Sequence, residues 1–185
     1  MYSLTAFIQD LDNITRTYSA PEKIVAEAKP LLAALVQDPD CIEPRFKQHG
    51  GKLYGRYMLH RAPRFNVTSV VWGPGDRAKA HNHDTWGLVG VLENELQETR
   101  FTRRDDGKRE GFAELEVTTI NHNKAGMVST LLAPKDDIHE MLNVTQQNTV
   151  EVHVYGKDLA LMPRLQFDVA TKTVKTFASA KYDNC

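Results

Sequence analysis

Leu4, Phe7, Ile8, Leu11 and Ile14 recur three and four positions apart, which places them in one apolar stripe on a helix. A second stripe follows at Ile24, Val25, Ala28, Leu31, Leu32 and Leu35. Ser19 is its candidate cap, and Pro21 falls in the first turn, where a missing N–H costs no hydrogen bond. Pro30, inside this stripe, predicts a kink or a split into two helices. Beyond Gly50-Gly51 the pattern changes to short β-branched and aromatic runs separated by Gly, Pro, Asn and Asp. These runs predict strands over 54–60, 65–72, 86–92, 96–102, 115–120, 126–132, 138–144, 149–155, 161–167 and 173–177, with turns at Gly73-Pro74-Gly75, at Asp105-Asp106-Gly107 and around Gly156. About ten strands without intervening helices predict an all-β, closed or nearly closed barrel, with the helices of segment 1–50 packed outside the barrel of segment 51–185.

Composition narrows the function. A chain of 185 residues suits a single domain with one core, and 41% hydrophobic with 25% charged residues excludes disordered and low-complexity classes. Lys and Arg total 23 against 24 for Asp and Glu, so no positive excess exists to hold a nucleic acid. The longest apolar run, Leu31 to Val36, is far short of the roughly 20 residues that span a bilayer, so no membrane association is expected. The first residues lack a basic region and turn acidic at Asp10 and Asp12, so a secretory leader is not expected. Cys41 and Cys185 cannot form a disulfide framework, and a reducing cytoplasm is the expected compartment.

The sharpest chemical feature is His81-Asn82-His83. Strand residues two apart project to one side, so both imidazoles could reach one metal ion. Taken alone, such a pair is more often a surface accident than a ligand set. A second element is Pro134-Lys135-Asp136-Asp137-Ile138-His139, followed by Asn143. Together with Gly75, the two resemble the paired motifs of the cupin superfamily, whose fold is a double-stranded β-helix, or jelly-roll barrel. The resemblance implies His139 as a third ligand beside His81 and His83. Three departures stand out: Gly87 where most cupins place a metal-binding Glu, Asn94 where that motif usually ends in Gly, and Asp136 where the second motif usually has Gly. Without the Glu, three neutral histidines leave about three octahedral positions open, a facial arrangement suited to Fe(II), although three histidines and water also suit Zn²⁺.

Among cupins, three histidines without the Glu resemble the thiol dioxygenases, that is, cysteine dioxygenase and the bacterial 3-mercaptopropionate branch. The resemblance runs from about Leu53 to Asp183 and rests on Tyr54 to His60, Ser69 to Gly75, His81 to Gly87, Asp137-Ile138-His139, His153-Val154-Tyr155-Gly156 and the tail Phe177 to Asp183. It implies Fe(II) as cofactor, a small thiol carboxylate and O₂ as substrates, and a sulfinate product formed without a reducing cosubstrate. It implies that His153 and Tyr155 form a relay beside the metal, with Tyr155 as the acid/base and positioning group. The family's Ser position in that relay is Glu151 here, a carboxylate that favours a charged His153 if it points that way. For the substrate carboxylate, whose planar shape matches a guanidinium, Arg56 stands at the cysteine dioxygenase position and Arg164 at that of the 3-mercaptopropionate branch. Both arginines in one chain make a dicarboxylic thiol such as mercaptosuccinate plausible. No cysteine lies between Cys41 and Cys185, so the thioether of the mammalian enzymes is not expected and Tyr155 should carry a free hydroxyl. His49, His60 and His122 are expected in structural or surface roles, Trp72 in the barrel wall, and Trp86 in the wall or lining the pocket. A monomer or small homo-oligomer is expected. The alternatives are a Zn²⁺- or Mn²⁺-dependent cupin isomerase or hydrolase, and a non-catalytic metal-binding cupin.

Overall fold

A computed structural model describes residues 2–51, 54–179 and 181–185. Leu53 and Ala180, within the stretches that carry the resemblance, lie outside the described residues. Helix α1 (Leu4–Thr17) starts where the Ser3 hydroxyl accepts the Ala6 N–H at 3.2 Å. Helix α2 (Pro21–Leu35) begins after Ala20, with no side-chain cap, so Ser19 does not cap it. Pro21 holds the residue before it extended, which makes Ala20 the boundary and leaves Ser19 one position too early. Pro30 does not split α2. It is exposed, as is Ala26, whose carbonyl it deprives of a donor, so water can take the missing bond.

Eleven strands follow among the described residues: β1 (Gly55–Arg61), β2 (Asn66–Trp72), β3 (Arg77–His81), β4 (Trp86–Glu93), β5 (Glu95–Arg103), β6 (Leu115–Lys124), β7 (Val128–Leu132), β8 (Ile138–Leu142), β9 (Thr149–Tyr155), β10 (Pro163–Asp168) and β11 (Thr173–Ala178). All ten expected strands are present, and β3 is the addition. Two starts move: Gly126, at φ +87°, belongs to the turn before β7, and Leu159–Leu161 forms a 3₁₀ turn ahead of β10. One sheet is ordered β1-β2-β9-β4-β7 and the other β11-β10-β3-β8-β5-β6. From β2 to β5 successive strands alternate between the sheets, and after the β5–β6 hairpin the alternation resumes through β9. This is the jelly-roll connectivity of the double-stranded β-helix. No described helix is long and apolar enough to cross a membrane.

The helices cover the outer face of the five-stranded sheet. On β9, Val150, Val152 and Val154 join Phe7, Leu11, Leu32 and Leu35 in one apolar cluster, so Glu151, His153 and Tyr155 point the other way, into the barrel. Gly90 of β4 lets α2 approach: a Cβ there would lie 3.0 Å from Val36 Cγ1 and 3.1 Å from Leu32 Cγ. Leu32 is fully buried at this contact. Leu32→Ala is therefore expected to destabilise the protein by about 2–5 kcal/mol. Urea unfolding would show this as a lower midpoint at unchanged slope.

Candidate metal centre

β3 ends at His81, β8 carries His139, and the two residues are register partners. His83 follows in the turn before β4, where Asp84 takes a left-handed φ of 53°. The Asp137 carboxylate fixes that turn by accepting the His83 N–H at 3.1 Å on both oxygens and the Asp84 N–H at 3.1 Å. Asn82 points away, its side-chain oxygen accepting the Leu165 N–H of β10 at 2.7 Å. Gly75 N–H donates to Asn143 O at 3.0 Å and Asn143 N–H to Asp76 O at 2.9 Å, which ties the turn before β3 to the end of β8. The motif residues around the histidines thus hold the two strands in register.

One ligand nitrogen from each of His81, His83 and His139 lies within 4.8 Å of the others. The Nδ1 atoms are engaged with Lys79 O at 2.8 Å, Asp137 O at 3.0 Å and Glu98 Oε1 at 2.8 Å, respectively. A carbonyl only accepts, so Nδ1 of His81 and His83 carries the proton and Nε2 keeps its lone pair. His83 Nε2 is buried and has no hydrogen-bond partner, which fits a metal ligand. Burial, and then the neighbouring histidines and Arg164, push the His81 and His83 imidazoles well below their ordinary range, so both are neutral near pH 7. His81 and His83 are ready to bind a cation without first losing protons.

Glu98 on β5 is the residue that sequence reasoning missed. Fully buried, it meets His139 Nδ1 and accepts from Asn123 Nδ2 at 3.0 Å and Arg100 Nη2 at 3.1 Å. Burial alone would raise this carboxyl, but the His139 hydrogen bond, the charge of Arg100 and the Asn123 amide outweigh it and bring it down to about 2. The Nδ1 of His139 is held at 2.8 Å by this carboxylate, which orients the ring and strengthens it as a donor to metal. Its signal was parity: Leu96, two residues earlier, is fully buried and sets that strand face inward. Glu98→Gln, nearly isosteric, is expected to weaken metal affinity by roughly 10–100-fold. Competition with a chromophoric chelator measures this without reference to activity.

A cavity beside the histidines is bordered by Trp72, Met141, Arg56, Arg164, His153 and Tyr155. Tyr155 stacks on His83 with ring centroids 5.3 Å apart, and burial raises its hydroxyl above the ordinary range. Gly87, its register partner, explains the missing glutamate: a Cβ at 87 would lie 2.8 Å from Tyr155 Cδ1 and Cε1. Tyr155 fills the space a side chain there would need. His153 Nδ1 is 2.9 Å from the Tyr155 hydroxyl, and its Nε2 is 2.9 Å from Glu151 Oε2, so Glu151 turns toward the relay. Arg164, 4% exposed, donates to Asn82 O at 2.9 Å and to the Ser179 hydroxyl and lies over Phe177. Its Nε is buried without a partner, and among the described residues no carboxylate forms an ion pair with it. Arg56 lies buried against the Tyr182 ring at 4.7 Å. Trp72 does more than form wall, since its indole N–H reaches Glu151. Trp86 does not border this cavity. It shares parity with Leu88 and packs in the cluster under the helices. Of the other histidines, His49 meets Asp76 at 2.6 Å, His60 stands beside Phe65, and His122 is half exposed.

The family model described as cysteine dioxygenase type I matches residues 7–165. The chain belongs to this family. The span of the cysteine dioxygenase type I match takes in the three histidines, Glu98, the Glu151–His153–Tyr155 row and both arginines. Similar solved structures include TT1209 from Thermus thermophilus, 17% identical, covering 62% of this chain and 95% of that one at a TM-score of 0.46. Oxalate oxidase in complex with the substrate analogue glycolate is 16% identical, covering 65% and 60% of the two chains at 0.46. KdgF from Halomonas sp. is 12% identical, covering 60% and 87% at 0.43.

Proposed function

We propose that this protein is a thiol dioxygenase that adds both atoms of O₂ to the sulfur of a small thiol carboxylate, yielding a sulfinate, with Fe(II) held by His81, His83 and His139. The observation that carries the proposal is the pairing, within a cysteine dioxygenase type I chain, of a three-histidine cluster with a buried arginine that forms no ion pair among the described residues. Bound there, Fe(II) would supply a Lewis acid with open positions that favours thiolate over thiol and brings thiol and O₂ together. The chain's own groups do the rest. Arg164 binds the substrate carboxylate through donors that, among the described residues, no acid occupies. Trp72 and Met141 exclude water from the cavity. Tyr155 holds a proton at its hydroxyl beside the reacting groups, backed by His153. The oxidation balances as thiol plus O₂ giving sulfinic acid, with no external reductant.

Two arginines bordering one cavity favour a dicarboxylic thiol such as mercaptosuccinate within this class, with Arg56 for the second carboxylate. Fe(II)-reconstituted protein tested against 3-mercaptopropionate, cysteine and mercaptosuccinate, with His139→Ala as control, is expected to consume O₂ with one of them and form sulfinate in equal amount. Bound iron with no uptake for any thiol would overturn the reading. Turnover of a non-thiol with Zn²⁺ or Mn²⁺ and without O₂ would favour an isomerase or hydrolase, and tight ligand binding without turnover a binding cupin.

A further inference from the structure

Behind Tyr155 runs a buried row whose order of donors and acceptors can be read from one fixed point. Trp72 Nε1–H can only donate, and it lies 2.8 Å from Glu151 Oε2. The same oxygen is 2.9 Å from His153 Nε2. Glu151 and Trp72 are both buried, and the other carboxylate oxygen, Oε1, has no hydrogen-bond partner, so Oε2 alone serves both neighbours. An oxygen committed as acceptor to the indole accepts from the imidazole as well, so a neutral imidazole carries its one proton on Nε2. His153 Nδ1 is then left with a lone pair, and its neighbour at 2.9 Å, the Tyr155 hydroxyl, becomes the donor.

We propose that Glu151 is a positioning residue that fixes the polarity of this row: Trp72 and His153 donate to Glu151, Tyr155 donates to His153, and the phenol oxygen presents its lone pairs to the cavity. A serine at 151, as the resemblance implies for the family, could donate or accept and would leave the direction open. Glu151 removes that freedom, and the substrate side of Tyr155 acts as an acceptor. The kinetic part of this inference rests on the dioxygenase reading, whereas the tautomer does not.

The test is histidine ¹⁵N NMR on the Zn²⁺-loaded protein near neutral pH, with His153→Gln to assign the signals. The wild type is expected to show His153 protonated on Nε2 and unprotonated on Nδ1. Glu151→Ala should populate the other tautomer, and Glu151→Gln, which keeps an acceptor oxygen in place, should restore the wild-type pattern. Glu151→Ser, whose hydroxyl can donate as well as accept, is the second probe if Glu151→Ala does not fold and should likewise populate the other tautomer. In the Fe(II) enzyme, Glu151→Ala should lower kcat by about tenfold or more at nearly constant KM, with Gln recovering most of the loss. A His153 protonated on Nδ1 in the wild type, or an unchanged tautomer in Glu151→Ala (in Glu151→Ser if Ala does not fold), overturns the proposal. Absence of O₂ uptake by the wild type would overturn the dioxygenase reading and leave the tautomer result standing.

Discussion

His139→Ala is expected to lower metal affinity by more than about 100-fold, beyond the loss from disturbing a group that only supports a ligand, and to reduce O₂ uptake to background. His139 provides one of three nitrogens that converge within 4.8 Å. It is also hydrogen-bonded through Nδ1 to the buried carboxylate of Glu98, so removing the ring strips Glu98 of its His139 hydrogen bond. Arg100, Asn123 and Ser129 still reach Glu98, so the loss of fold stability should stay near about 1–3 kcal/mol. The two effects separate by measurement: metal content after dialysis reports the ligand, and thermal unfolding of the metal-free protein reports the buried acid. Adding Glu98→Gln to His139→Ala should recover part of the stability and none of the metal affinity. If His139→Ala bound metal as tightly as the wild type, the three-histidine assignment would fail.

The parts of this centre legible in the sequence are those whose spacing is short. His81 and His83 announce themselves by their spacing of two, although only His81 lies on a strand and His83 is set by the turn that Asp137 holds, while Glu151, His153 and Tyr155 share a strand face. Glu98 escaped because a glutamate in a run such as Gln97-Glu98-Thr99-Arg100 looks solvated until the inward Leu96 is used to fix parity. Strand β3 escaped because Arg77-Ala78-Lys79-Ala80-His81 contains no β-branched residue, and its extended form comes from pairing with β8 and β10, a tertiary effect. Nearness to His83 left Trp86 open between wall and pocket: β4 starts at Trp86 itself, after the turn, and the strand's parity then decides for the wall. The role of Gly87 was hidden for another reason. A vacancy in a motif shows what is missing, and only the Tyr155 ring against it shows why.

Arg164→Ala is expected to raise KM for the thiol carboxylate roughly a hundredfold, because charge-assisted hydrogen bonds to a carboxylate contribute about 2–3 kcal/mol in a site shielded from water. Burial depresses the Arg164 guanidinium from its ordinary value, yet an arginine keeps its proton, so the cation is held at a cost that an anionic ligand offsets. Arg164→Lys should restore little, since an ammonium lacks the planar fork and would have to replace the bonds to Asn82 O and Ser179 as well. The Asn82 bond makes a control necessary, because Asn82 lies between two of the histidines. If Arg164 serves the substrate, metal affinity of Arg164→Ala stays near the wild type while KM moves, whereas a collapse of the turn would lower both. Arg56→Ala then discriminates among substrates. For a monocarboxylic thiol held by Arg164 it should alter KM only slightly, and for a dicarboxylic thiol it should raise KM by a factor comparable to that of Arg164→Ala. Equal insensitivity of every thiol to both substitutions, with metal affinity intact, would mean that the carboxylate is bound elsewhere.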